Sequence, residues 1–125
     1  MGREAVTTDR IAPPAGPFSP AVRSGDIVFL SGQVAQDPAT GRLVEGDVAR
    51  QTEQVLRNVG EVLRAAGKGF ADVLRVGVFL TDMRDFQAMN AVYERSFDPP
   101  YPARTTVAVA ALPLGAKVEM EVVAR

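Results

Sequence analysis

The sequence predicts a single domain in which two helices cover one face of a β-sheet and leave the other face for a partner. Three observations lead there. Short apolar strands alternate with helical periodicity in the order strands, helix, strand, helix, two strands. Each helix can serve as a crossover between parallel strands, and two helices can cover only one sheet face. Two of the strands are nevertheless apolar on both faces, the pattern of strands buried on both sides. One chain of 125 residues offers nothing else to cover the second face, so the sequence argues for a homo-oligomer without fixing its order.

The elements follow in chain order. Residues 1–10 are polar and read as a frayed end. Ile11–Pro20 carries four prolines, which forbid a helix and suggest an irregular segment leading into a hairpin. Asp26–Gln33 is a strand ending at Gly32, and Asp37–Gly41 (DPATG) is a turn. Val48–Ala66 is the clearest helix: Val48, Val55, Val59, Val62, Leu63 and Ala66 fall mostly on one face, with Asp47 as N-cap and Gly67 just beyond the end. Val73–Thr81 is a strand with Leu74, Val76, Val78 and Leu80 on one side and Val73, Gly77 and Phe79 on the other. Asp85–Phe97 is a second helix, with Phe86, Met89, Val92, Tyr93 and Phe97 at helical spacing, ended by Pro99, Pro100 and Pro102. Thr105–Leu112 and Lys117–Ala124 are strands joined by a short turn at Pro113–Gly115.

Composition narrows the chemistry. The chain is 46% apolar and 23% charged, an ordinary globular balance. A domain of this size buries roughly two-thirds of its unfolded surface, enough for a core. Formal net charge is -1, from 14 basic and 15 acidic residues, with no basic stripe of the kind nucleic-acid binding needs. Cysteine and histidine are both absent. Disulfides, thiol nucleophiles, Cys/His metal sites and the usual general base are therefore excluded. Catalysis would have to use carboxylates, Arg, Lys, Tyr, hydroxyls, backbone amides and water. No apolar run approaches the roughly 20 residues of a membrane span, and the first ten residues lack the apolar core of a signal peptide. By elimination the expected compartment is the cytoplasm.

Several motifs, in order and with short gaps, carry a resemblance: GPFSPAV at Gly16–Val22, FLSGQ at Phe29–Gln33 and DPATGRLVEGD at Asp37–Asp47. Gln51–Gly67, Asp72–Tyr93, PAR at Pro102–Arg104 and LPLGAKVEMEVVA at Leu112–Ala124 continue it. From about Ile11 to the C-terminus the chain resembles the RidA (YjgF) family, whose best understood members hydrolyse reactive enamines and imines to ketones and ammonia. The resemblance implies a chorismate-mutase-like α+β fold over residues 1–125. It further implies a homotrimer whose sheets form a central barrel, a ligand cleft at each subunit interface, small imino or keto acids as ligands, and no metal or organic cofactor.

Residue by residue, the bland and the functional readings stand side by side. Arg104 alone reads as a solvent-facing Arg opening a strand; the resemblance puts it on the substrate-carboxylate ligand in PAR, where a guanidinium fork suits a carboxylate. Glu119 and Glu121 share one face of the last strand, which by itself suggests a solvated face. The resemblance places Glu119 on the residue that orients the attacking water, leaving Glu121 structural. Asn90 is a polar helix residue or a site residue. Ser31 and Gly32 end a strand, and by resemblance line the cleft. Phe18 is a hydrophobic plug or, by resemblance, a cleft wall. The Asp82–Asp85 pair reads as helix capping rather than a metal site. Two departures from the common family pattern stand out. GPFSP replaces GPYSQ, so Phe18 lacks a phenol and Pro20 replaces an amide. Thr106 stands where many members carry Cys, which removes thiol chemistry and leaves a hydroxyl to face the substrate. The function implied is hydrolytic deamination of short 2-imino acids such as 2-iminopropanoate and 2-iminobutanoate. Its rivals are keto-acid binding without catalysis, hydrolysis of another carbonyl-nitrogen substrate, and the ribonuclease or translation-inhibitor role of some relatives, which the missing histidine and basic patch disfavour.

Overall fold

A computed structural model describes residues 2–125. The strands are β1 (Glu4–Val6), β2 (Ala21–Ser24), β3 (Ile27–Gln33), β4 (Val73–Leu80), β5 (Ala103–Ala108) and β6 (Val118–Ala124); the helices are α1 (Val48–Ala65) and α2 (Phe86–Tyr93). They form one sheet in the order β1-β2-β3-β6-β4-β5. β4 and β5 are parallel and every other neighbouring pair is antiparallel. Both helices act as the expected crossovers. α2 links the parallel neighbours β4 and β5. α1 links β3 to β4, which run the same way because each is antiparallel to β6.

α1 begins where Asp47 accepts a hydrogen bond from the Arg50 backbone N–H, and Gly67 follows its end at φ 75°. Its apolar stripe, Val55, Val59, Val62 and Leu63, is buried with Val28, Val76, Val78, Leu80, Val118 and Met120 and with Met89 of α2. Fully burying a side chain of this kind contributes about 1.5–3 kcal/mol, so this layer between helices and sheet holds the domain together. Asp82 accepts from the Arg84 backbone N–H and pairs with its guanidinium at 2.7 Å, the capping role expected of it. Among the described residues no helix is long and apolar enough to cross a membrane.

Five expectations need correction. Residues 4–6 are not frayed: Glu4, Ala5 and Val6 pair with Arg23, Val22 and Ala21, which satisfies the backbone of an otherwise polar end. The second helix is shorter than Asp85–Phe97, because α2 ends at Tyr93 and tightens into a 3₁₀ turn over Glu94–Ser96. The strand expected to reach Leu112 stops at Ala108. β5 and β6 are not a hairpin but lie on opposite sides of β4, and the segment through the 3₁₀ turn at Pro113–Gly115 carries the chain across. Leu74 does not share the buried face of Val76, Val78 and Leu80. A register shift between Val73 and Arg75 breaks the alternation, so Val73 is buried and Leu74 exposed.

The sheet face away from the helices is open in the single chain. Phe29 is 47% exposed and Val107 41% exposed, and Glu121 is exposed on the same face in a cleft shared with Phe29 and Arg75. β5, the outermost strand, is largely exposed along its length.

Candidate active site

Five of the residues singled out from the sequence line two clefts, Arg104 and Asn90 the first and Phe18, Gly32 and Glu119 the second, while Ser31 and Thr106 line neither of them. The first, about 440 Å³, is lined by Gln87, Asn90, Tyr93, Glu94, Tyr101, Pro102 and Arg104. Arg104 is the second residue of β5 and pairs with Val76, whose side chain is fully buried beneath the helices. Alternation along the strand therefore sends Arg104 and Thr106 to the helix face. The Arg104 guanidinium carbon lies 4.7 Å from the centroid of the Tyr93 ring and 5.7 Å from that of Phe86, held by the negative faces of two rings. Among the described residues no carboxylate lies within ion-pair distance of it. Around it three buried polar atoms have no hydrogen-bond partner: Asn90 Oδ1, Tyr93 Oη and Thr106 Oγ1. Burial pushes the Tyr93 phenol up, against smaller downward pulls from the Arg104 charge and from the approach of the Arg104 guanidinium, as a hydrogen-bond donor, to the phenol oxygen. The cluster is a half-buried cation with unsatisfied hydrogen-bonding groups beside it, an arrangement that a small anion would complete.

The second cleft, about 240 Å³, includes Phe18, Pro20, Gly32, Gln33, Leu114 and Glu119 in its lining. Glu119 sits on β6 between Val118 and Met120, both buried under α1, so its own side chain takes the open face, as does that of Glu121. Its carboxylate lies against Gly32: a Cβ added there would stand 2.7 Å from Glu119 Oε2 and 2.9 Å from Cδ. Glycine is what allows this approach. Burial, and then the like charge of Glu121, raises the Glu119 carboxyl above the usual carboxylate range.

Buried amides on α1 hold the frame of this cleft. Asn58 Nδ2 donates to the carbonyls of Val34 at 3.2 Å and Gln36 at 3.0 Å, just beyond Gly32. Gln51 Oε1 accepts from the Lys117 backbone N–H at 2.9 Å, two residues before Glu119. The Ser31 hydroxyl donates to the Ser19 carbonyl at 2.7 Å, tying the segment that carries Phe18 to β3. That leaves the Ser31 oxygen as an acceptor.

The structure thus groups Arg104 with Asn90 and Thr106, and Glu119 with Gly32 and Phe18. It does not bring the groups together, because within one chain they occupy opposite faces of the sheet. It adds Tyr93 and Phe86 to the Arg104 group. Both read from the sequence as core residues, yet Tyr93 stands one helical turn after Asn90, and that spacing could have pointed to a shared face.

Residues 7–125 match the model of the family described as Endoribonuclease L-PSP. The chain belongs to this family, the RidA family. Among its RidA relatives, Reactive Intermediate Deaminase A from the chloroplast of Arabidopsis thaliana is 43% identical over 98% of this chain and 65% of its own length. The chain therefore spans about two-thirds of that relative. The 2-iminobutanoate/2-iminopropanoate deaminase of Bos taurus is 43% identical over 98% of this chain and 89% of its own. Among solved structures, E. coli TdcF with bound serine superposes with a TM-score of 0.91 at 38% identity, covering 97% of each chain. The expected α+β architecture is thereby borne out.

Proposed function

We propose that this RidA chain is a hydrolytic deaminase that converts short 2-imino acids to 2-keto acids and ammonia, at sites completed between copies of the chain. The observation that carries this is the division of the site. Arg104 is a cation without an anion, Glu119 is a carboxylate without a cation, and they lie on opposite sheet faces. A contact that sets the helix-face cleft of one chain against the open-face cleft of the next supplies each with what it lacks. Such a contact joins unlike surfaces, so it closes only as a ring; the family resemblance supports a ring of three. The relatives named as imine deaminases support the chemistry, and TdcF with bound serine supports a small carboxylate as ligand.

In this reading Arg104 takes the substrate carboxylate through paired N–H donors, with Asn90 and Thr106 beside it and Phe18 as a wall on the neighbouring chain. Enamine tautomerises to imine, and protonation of its nitrogen makes the carbon electrophilic. Glu119 orients a water and takes its proton as the oxygen bonds to that carbon. The raised carboxyl is a stronger base than an ordinary glutamate, which suits the role. Return of the proton to nitrogen lets the carbon–nitrogen bond break. Ammonia leaves and the carbonyl of the keto acid forms. Net, one imine and one water give one keto acid and one ammonia. Ser31 contributes its acceptor oxygen and its tie to the Phe18 segment.

Two measurements test the reading. Coupled to a threonine dehydratase, the protein should speed the disappearance of the imine; saturable 2-ketobutyrate binding without that acceleration would leave a binding protein. Arg104→Lys and Glu119→Gln, each inactive, should regain about a quarter of wild-type turnover when unfolded together and reassembled at equal concentration. In any closed head-to-tail ring a random mixture pairs an intact arginine with an intact glutamate at about a quarter of its interfaces. No recovery from freely exchanging subunits would place both residues' roles within one chain and overturn the shared site.

A further inference from the structure

We propose that Tyr93 is a carboxylate-recognition and positioning residue: its ring restrains the Arg104 guanidinium, and its phenol O–H donates to the same ligand carboxylate. The proposal rests on the deaminase reading for the class of ligand only.

Three observations converge on Tyr93. Its ring centroid is 4.7 Å from the Arg104 guanidinium carbon, closer than that of Phe86. The ring is itself held. It lies 4.7 Å from Phe97 at 33°, and Phe97 meets Phe70 edge-on at 5.3 Å and 88°. A guanidinium held over an anchored ring has fewer orientations open to it than one free in solvent. Arg104 thereby gains the preorganisation that a long, flexible side chain lacks. Third, the phenol is in an unusual position for a core tyrosine. The residue is only 5% exposed and lines the Arg104 cleft; the Arg104 guanidinium lies where it can donate to the phenol oxygen, but the phenol O–H has nothing to donate to among the described residues. A buried O–H without an acceptor is costly. Phenylalanine would fill the same core space without that cost, so packing alone does not account for the oxygen. A ligand carboxylate on Arg104 does. Burial raises the phenol, so the O–H is retained as a donor throughout the neutral range.

The test uses Tyr93→Phe and Tyr93→Leu in the assembled protein, with 2-ketobutyrate as probe. Isothermal titration reads affinity, turnover on the imine reads KM and kcat, and a melting curve reads stability. Tyr93→Phe should weaken 2-ketobutyrate binding about tenfold, as expected for a lost hydrogen bond to a charged group. KM should rise in step and kcat change far less, because the proton chemistry lies with Glu119. Its melting temperature should stay the same or rise, since an unsatisfied hydroxyl leaves the core. Tyr93→Leu should weaken binding further through the lost platform. Unchanged affinity in Tyr93→Phe overturns the proposal. So does a loss of affinity that only tracks a fall in melting temperature, because that is the mark of a packing residue. Wild-type protein that binds 2-ketobutyrate but hydrolyses no imine refutes the deaminase reading alone, and Tyr93 is then judged on affinity. Wild-type protein that binds no keto acid refutes both.

Discussion

The two clefts solve the problem of holding a charge out of water in opposite ways. On the helix face Arg104 rests against aromatic rings, and the polar atoms near it are unpartnered. On the open face Glu119 rests against Gly32, and the like charge of Glu121 repels it. The first arrangement favours an arriving anion; the second keeps a carboxylate ready to accept a proton. The difference teaches that the cationic cleft and the carboxylate cleft are built from unrelated parts of the fold, so a substitution in one should leave the other largely unchanged.

The largest effect that would sharpen this contrast is expected from Glu119→Gln. Gln keeps the shape and can hydrogen-bond a water, but takes up no proton at neutral pH. Imine hydrolysis should fall by about 10²-fold or more while 2-ketobutyrate binding, measured by titration calorimetry, stays near wild type. Parallel loss of both would show that the two halves are not separable. Next is Gly32→Ala. The added methyl meets the movable end of Glu119 rather than backbone, so the carboxylate should shift and turnover fall by roughly tenfold, with little change in melting temperature. A large fall in stability with normal turnover in the surviving protein would break the link between Gly32 and the base.

Glu121→Gln tests the electrostatic half of the argument. Activity that needs ionised Glu119 falls as pH drops through its raised pKa. Removing the Glu121 charge should move that acid limb to lower pH. Burial, the larger cause, remains, so the limb should stay above the ordinary carboxylate range. An acid limb that does not move would show that Glu121 is screened from Glu119. The sign for stability is the reverse of activity. A carboxyl whose folded pKa is raised penalises the fold where it is ionised, and that penalty disappears as pH falls through the folded pKa. The smallest effect belongs to Phe18→Tyr. Phe18 is 52% exposed, so stability should stay within about 0.5 kcal/mol, while relative rates across small and aromatic imino acids shift. Unchanged relative rates would show that this wall does not select.

Helix α1 and the alternation of β6 were legible because each obeys one period from end to end. Asp47 and Gly67 marked the limits of α1, and Val118, Met120 and Val122 separated cleanly from Glu119 and Glu121. The errors arose where geometry is set by distant pairing. Nothing local in Glu4–Val6 announces a strand; Ala21–Arg23 makes it one. Nothing in Val73–Arg75 announces the register shift that exposes Leu74. The Pro113–Gly115 turn looks like a hairpin because the insertion of β6 between β3 and β4 is a property of the whole sheet. In the site, Arg104 and Glu119 could be nominated from the resemblance, but their separation onto two faces depends on β5 pairing with β4 through Val76. Tyr93 was hidden because its apolar ring satisfies the helical stripe, and the stripe does not reveal a hydroxyl aimed elsewhere.

The open edge of β5 has a consequence for the newly made chain. A strand edge with unpaired N–H and C=O groups is a template for any extended segment, and here it borders a face that exposes Phe29 and Val107. As a single chain the protein presents both to a crowded solution. Arg104, Thr105 and Thr106 put a charge and two hydroxyls where a continuous apolar edge would invite stacking, the composition that guards an exposed strand against aggregation. Overproduction that outruns assembly should therefore fill inclusion bodies first with variants that replace Arg104 by an apolar residue.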